Sequence, residues 1–351
     1  MTSTETRVDW IDSLKGLTML CVVLGHVALG YLDSGMYPAH HAALRSICNI
    51  VGAFEMPLFF VISGLLFCRA YTLDAGKTLK SDRVRSQMAN LLALYVLYSV
   101  VIWAFKLIFS SNVNNPLTWK DVVIIWCRTI PPYWYLYVLL ILYAAMSSSV
   151  VRRACDIPLL ACLFAVSAVV SAGYVPVTQW FEIDRLLIYA PFFLAGSLYG
   201  MGGKMAKYKG MPAMVVGLVI VAIDAVASLQ GRAMHARPIL STVYAFALSF
   251  LLIEAFQRFD VLSGNPMLNV IGRHCLEVYV LHCFLTAGLR PVFTRLHVDQ
   301  VFISIMLNLV ISTSMPVLFA LVCKRLGIHG LFFKPYSFVK RLVAKHGQTG
   351  K

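Results

Sequence analysis

The sequence predicts an all-α integral membrane protein of about ten transmembrane helices with both termini in the cytoplasm. Three observations carry this reading: composition, the regular return of long apolar runs, and the placement of the basic residues. Of 351 residues, 59% are hydrophobic and 13% charged, with a mean hydropathy of +0.76. A soluble domain carries about 25% charged residues, so water is not the main solvent of this chain. Apolar runs return from end to end at intervals of roughly 30 residues, room for one crossing and a short loop each. No polar stretch is long enough for a separate soluble fold. The chain therefore reads as a single membrane domain over residues 1–330 followed by a basic cytoplasmic tail over 331–351.

A helix needs about 20 apolar residues to cross the hydrocarbon core, because every backbone polar group must be satisfied internally there. On that criterion the crossings fall near 14–33, 47–68, 88–109, 133–151, 157–175, 185–202, 211–229, 238–257, 268–288 and 300–323. The first run contains His26 and lacks a small-residue cleavage site, so it reads as a retained helix rather than a signal peptide. The stretch 117–132 is interrupted by Arg128 and by Pro131-Pro132. It reads as an interfacial or re-entrant segment, with an eleventh crossing as the alternative.

Ten crossings place both termini on one side. Of the 30 Lys and Arg, 21 fall on that side and 9 on the other. The majority includes Lys77, Lys80, Arg83, Arg85, Arg152, Arg153, Lys204, Lys207, Lys209 and the tail from Lys324 onward. Basic loops face the cytoplasm, which sets the orientation. The net charge of +14 thus lies in short loops and at the C-terminus, where it fixes topology and meets anionic lipid; no nucleic acid is implied. In the tail, Lys334, Lys340, Arg341 and Lys345 alternate with Phe332, Phe333, Phe338 and Leu342. This is the pattern of an amphipathic segment on the inner leaflet or of a solvated tail. Nine cysteines lie mostly within apolar runs and none forms a CxxC pair, so neither a disulfide framework nor a metal ligand set is indicated.

Ionisable groups within a crossing are costly and mark a binding or transfer pathway. The first crossing carries Asp12-Ser13-Leu14-Lys15-Gly16 and then Val23-Leu24-Gly25-His26. Lys15 and His26 are 11 residues apart, about 16.5 Å along a helix and within roughly 20° of one face. Lys15 is placed to meet an anionic group arriving from the cytoplasm. His26, with an ordinary pKa near about 6.5, is placed to act as a general base on a hydroxyl. The alternative is a snorkelling lysine and a hydrogen-bonded packing histidine. Glu55, near the outer end of the second crossing, lies at a depth where it can face His26, orient the imidazole and stabilise its protonated form.

These residues resemble a known family. Arg7-Val-Asp-Trp-Ile-Asp-Ser-Leu-Lys-Gly-Leu, ending in Leu24-Gly-His26, is similar to the opening of the acyltransferase family 3 membrane proteins. Phe54-Glu-Met-Pro-Leu-Phe-Phe-Val-Ile-Ser-Gly64 resembles the second-helix block of that family, and Tyr133-Trp-Tyr-Leu-Tyr137 its Leu-Trp-Phe-Leu block. Ile271-Gly-Arg-His-Cys-Leu-Glu-Val-Tyr-Val-Leu-His282 resembles its late Ile-Gly-x-x-Ser-Leu-x-x-Tyr-x-x-His pattern. Three positions depart from the pattern. Glu55 stands where relatives often have histidine, Cys275 replaces serine, and Asn90 occupies the place of an arginine before the third crossing.

The resemblance implies an inner-membrane O-acyltransferase of the bacterial envelope. It would move an acyl group, with acetyl the expected one, from cytoplasmic acyl-coenzyme A to a hydroxyl of a carbohydrate or glycolipid, with no bound cofactor. His26 would be the base, with Lys15, Glu55 and His282 beside it in the reaction. Lys15, Arg69, Arg83, Arg85 and Ser63 would bind the donor, and Trp134, Tyr137 and Tyr279 the acceptor. Each assignment has a plainer counterpart. Arginines at a cytoplasmic mouth follow the positive-inside rule, Ser63-Gly64 suits close helix packing, and Trp134 and Tyr137 suit an aromatic belt. Tyr279 and His282, three residues apart, share a helix face, whereas Glu277 points elsewhere. Without a Gly-x-Ser-x-Gly elbow, direct transfer is expected rather than a serine acyl-enzyme. A transporter or flippase for a lipid-linked saccharide, with His26 and Lys15 relaying protons, is the alternative from another class, although no internal repeat points to one.

Overall fold

The computed structural model describes residues 9–73, 78–109, 117–201, 210–229 and 232–349. Among the basic residues used above, Arg7, Lys77, Lys204, Lys207, Lys209 and Lys351 lie outside these. In chain order the helices begin with α1 (Asp9–Asp33), α2 (His41–Gly52) and α3 (Glu55–Tyr71). The two-residue strands β1 (Thr72–Leu73) and β2 (Thr78–Leu79) pair antiparallel. Then come α4 (Ser81–Ile108), the short α5 (Trp119–Val123), α6 (Trp134–Ser147), α7 (Ser149–Ala154), α8 (Ile157–Ser171) and α9 (Ile183–Met201). The last part holds α10 (Met211–Leu229), α11 (Pro238–Arg258), α12 (Asp260–Ser263), α13 (Pro266–Arg273), α14 (Cys275–Arg295), α15 (Val301–Arg325), α16 (His329–Phe333) and α17 (Pro335–Thr349).

Seven helical stretches among the described residues are long and apolar enough to cross a membrane, and α6 and α8 are shorter apolar helices. Every expected crossing coincides with a helix, but three are broken, among them 133–151, which divides at Ser148 between α6 and α7. The run 47–68 divides at Ala53–Phe54, so that Glu55 opens α3; Pro57, which lacks an N–H, sits within the first turn, where none is needed. The run 268–288 divides at His274 between α13 and α14. Each break spans only one or two residues, which is why hydropathy passes over them. The stretch 117–132 forms only α5 and a further short turn at Ile124–Trp126, too little to cross.

The chain forms two compact units. The first comprises Met1–Ile62 and Lys204–Val317, the second Ser63–Gly203 and Leu318–Lys351. In the first unit α1 packs against α2, α13 and α14, and α10 against α11. The α1–α13 seam is backbone on backbone. A Cβ at Gly16 would strike the carbonyl of Leu268, and one at Gly272 would strike the carbonyl of Asp12. Small residues permit such approach where van der Waals packing drives helix association. Two segments far apart in sequence, Lys15-Gly16 and Ile271-Gly272, are thereby locked together.

In the second unit α8 packs on α9 and α4 on α6. The rings of Phe67, Tyr143 and Phe193 meet at 4.8–6.0 Å. A Cβ at Gly64 would strike the carbonyl of Phe193 in α9. The tail is neither unstructured nor loose where it begins: Phe333 is buried. The Asn90 amide donates to Ser337 Oγ at 2.7 Å and accepts from the Ser337 backbone N–H at 3.1 Å. The position where relatives often carry an arginine therefore anchors α17.

Candidate active site

The first unit brings His26 and His282 together. Their rings lie 5.0 Å apart at 56°, with His26 on α1 and His282 fully buried on α14. His282 Nδ1 donates to the backbone carbonyls of Val278 and Tyr279, at 3.0 and 2.8 Å. A nitrogen facing two carbonyl oxygens carries the proton, so the neutral ring presents its lone pair at Nε2. Cys283 Sγ lies 3.2 Å from that Nε2.

Glu55, at the start of α3, approaches α1 at Gly25. A Cβ on Gly25, the residue before His26, would lie 3.3 Å from Glu55 Oε2. That carboxylate oxygen is buried with no hydrogen-bond partner among the described residues. Tyr279 packs its ring 6.2 Å from that of His282 and also fixes the histidine through its main-chain carbonyl.

Lys15 occupies the other end of α1. Its Nζ lies 2.7 Å from Asp12 Oδ1. Arg273 reaches the other Asp12 oxygen at 3.7 Å and Asp9 at 3.3 Å. Lys15 is thus one of two cations around a nearly buried carboxylate and not a bare charge. The two acids also complement the positive end of the α1 dipole.

The remaining candidates lie in the second unit. Arg69, Arg83 and Arg85 are exposed at the corner where α3 turns through β1 and β2 into α4. Ser63 Oγ shares a 2.6 Å hydrogen bond with the Tyr135 hydroxyl. Trp134 stacks on Tyr189 with centroids 5.2 Å apart, while the Arg185 guanidinium lies 4.7 Å over the same indole. Arg185 is itself paired with Glu182, whose Oε1 accepts from Thr129 Oγ1 at 2.7 Å. The Tyr137 hydroxyl donates to the carbonyl of Trp126 at 2.8 Å, tethering α6 to the segment before it.

Residues 8–325 match the family model described as Acyltransferase domain, of acyltransferase family 3. The chain belongs to that family. No curated protein and no solved structure matches the chain significantly. This acyltransferase is therefore an enzyme with membrane-spanning helices, and the transporter alternative gives way. Its four motif blocks now have positions in space. The first and last meet in the α1–α13 seam and again at His26 and His282, and the second supplies Glu55.

Sequence reasoning passed over four residues that contact the candidates or their partners. Asp12 lay in the first motif but was read only as context for Lys15. Arg273 and Arg185 carry charge at helix ends, where topology alone accounts for arginine. Cys283 follows His282 directly, and neighbouring helical residues ordinarily point apart. Its apolar surroundings gave no other signal. The sequence has no metal-ligand spacing, yet among the described residues one group, His26, His282 and Cys283, places its ligand atoms within 4.8 Å of one another.

Proposed function

We propose that this acyltransferase moves an acetyl group from cytoplasmic acetyl-coenzyme A to a hydroxyl of an envelope carbohydrate or glycolipid, within the inner membrane of a bacterium. The observation that carries this reading is the pair of imidazoles 5.0 Å apart, with one ring held by two backbone carbonyls. General-base transfer to a hydroxyl needs a nitrogen held in reach of the nucleophile, and a second polar ring beside it to position the reactants. His26 takes the hydroxyl proton, and the Glu55 carboxylate beside Gly25 stabilises the imidazolium that forms. Exposed Arg69, Arg83 and Arg85 suit the phosphates of coenzyme A as charge-assisted contacts. Lys15 contributes to donor binding through the ion cluster with Asp12 and Arg273. The aromatic face of Trp134 suits a sugar ring.

The test is transfer of radiolabelled acetyl from acetyl-coenzyme A into the glycan and lipid fractions of membranes carrying the wild-type chain or His26→Ala. Incorporation with the wild type and at least about 100-fold less with the variant is expected for loss of a general base. Equal incorporation in both would remove His26 from the mechanism, and none in either would remove acetyl-coenzyme A as donor.

A further inference from the structure

We infer that Cys283 is an acyl acceptor within the enzyme, and that transfer runs through an acyl-cysteine formed with His282 as its base. The inference rests on the acyl-coenzyme A reading given above. Three features of the first unit support it, and none depends on the identity of the final acceptor.

The first is a nucleophile in contact with a base. Cys283 Sγ lies 3.2 Å from His282 Nε2, within the reach of an S–H···N hydrogen bond. The second is the tautomer. Two carbonyls hold the proton on Nδ1, which leaves Nε2 to accept from the thiol. A nucleophile hydrogen-bonded to a base that is itself oriented by a further group is the general arrangement of covalent catalysis. The third is the position of the other imidazole. The ligand atoms of His26, His282 and Cys283 all lie within 4.8 Å of one another. A hydroxyl between a His26 ring nitrogen and an acyl carbon on Sγ would thus be in reach of both. One histidine serves each half of the reaction, so that both imidazoles act as bases.

In the first half, the Cys283 proton passes to His282 Nε2 as sulfur adds to the thioester carbonyl of acetyl-coenzyme A. The adduct expels coenzyme A, whose sulfur takes that proton and leaves as the free thiol. One thioester replaces another, so no oxidant, reductant or metal is consumed. In the second half, the acceptor hydroxyl gives its proton to His26 and its oxygen adds to the acyl-cysteine carbonyl. The Cys283 sulfur then leaves and recovers a proton from His26.

The experiment needs only the donor. Full-length protein in detergent is incubated with radiolabelled acetyl-coenzyme A and no acceptor, then denatured and counted with and without neutral hydroxylamine. The modified peptide is located by mass spectrometry. The expected result is protein-bound label approaching one acetyl per chain, released by hydroxylamine, mapped to Cys283 and lost in Cys283→Ala. In Cys283→Ser, label is either lost or held as an ester that neutral hydroxylamine releases far more slowly. Wild-type protein that transfers acetyl to acceptor without ever carrying label overturns the relay and leaves the acyltransferase reading standing. Label that maps to another residue, or transfer undiminished in Cys283→Ala, does the same. Stoichiometric zinc in the wild-type protein that Cys283→Ala loses overturns it in favour of a metal centre on the same three atoms. Neither label nor transfer from acetyl-coenzyme A overturns both readings.

Discussion

At Asp12 the side chain is almost buried and is held between Lys15 Nζ and Arg273 Nε. Removing one of the two cations leaves the carboxylate with a weaker partner and not with none. Lys15→Ala is therefore expected to lower stability by only about 1 kcal/mol, well short of the roughly 3–5 kcal/mol of breaking an isolated buried pair. Its main effect should be a raised KM for the acyl donor. Lys15→Arg, which keeps the charge, should restore most of it. The check is a thermal midpoint in detergent beside donor-dependent initial rates; an unchanged KM in Lys15→Ala would place the donor's anionic groups elsewhere. Asp12→Asn should be the more damaging change, because Lys15 and Arg273 would then face each other without the carboxylate between them. Glu55→Gln keeps the shape beside Gly25 and removes the charge. It is expected to lower kcat with the thermal midpoint little moved, since that oxygen has no hydrogen bond to lose.

Among the elements, α1 and α13 make the most specific prediction. Gly272→Ala puts a methyl group on the Asp12 carbonyl, and Gly16→Ala puts one on that of Leu268. Such overpacking costs about 1–3 kcal/mol or more, and here it also displaces the helix that carries His26. Both variants should lose activity and melt lower. Gly288 offers the control: a Cβ there meets nothing within 4 Å, so Gly288→Ala within α14 should be neutral or raise stability by up to about 1 kcal/mol. If all three melt alike, the seam does not hold the first unit together. The helices themselves were legible in the sequence, because twenty apolar residues between basic loops leave the backbone little else to form. His26, Glu55 and His282 were legible as candidates, since ionisable groups within apolar runs are costly. What escaped the sequence was any relation set by three-dimensional contact between local runs: the breaks at Ala53–Phe54, Ser148 and His274, the Asp12 ion cluster, and the thiol beside His282. Hydropathy averages over a break of one or two residues, and the spacing rule for helices hides a contact between adjacent residues.

For the molecule as a whole, the positive-inside count predicts both termini in the cytoplasm. A C-terminal green fluorescent protein fusion should fluoresce, and an alkaline phosphatase fused at the same point should be inactive; the reverse pair would invert the topology. The docked tail makes a related expectation. Asn90→Ala removes both bonds to Ser337 and should expose the chain after Phe333 to a protease added from the cytoplasmic side, with the membrane helices left intact. The glycine seam of α1 and α13 also has a consequence for inheritance. Every single-nucleotide missense change in a glycine codon introduces a side chain with a Cβ. Neither Gly16 nor Gly272 thus has a neighbouring codon that the seam can accommodate. In a saturation library selected for activity, the columns at 16 and 272 should empty completely, including their alanine cells, while the column at 288 stays populated.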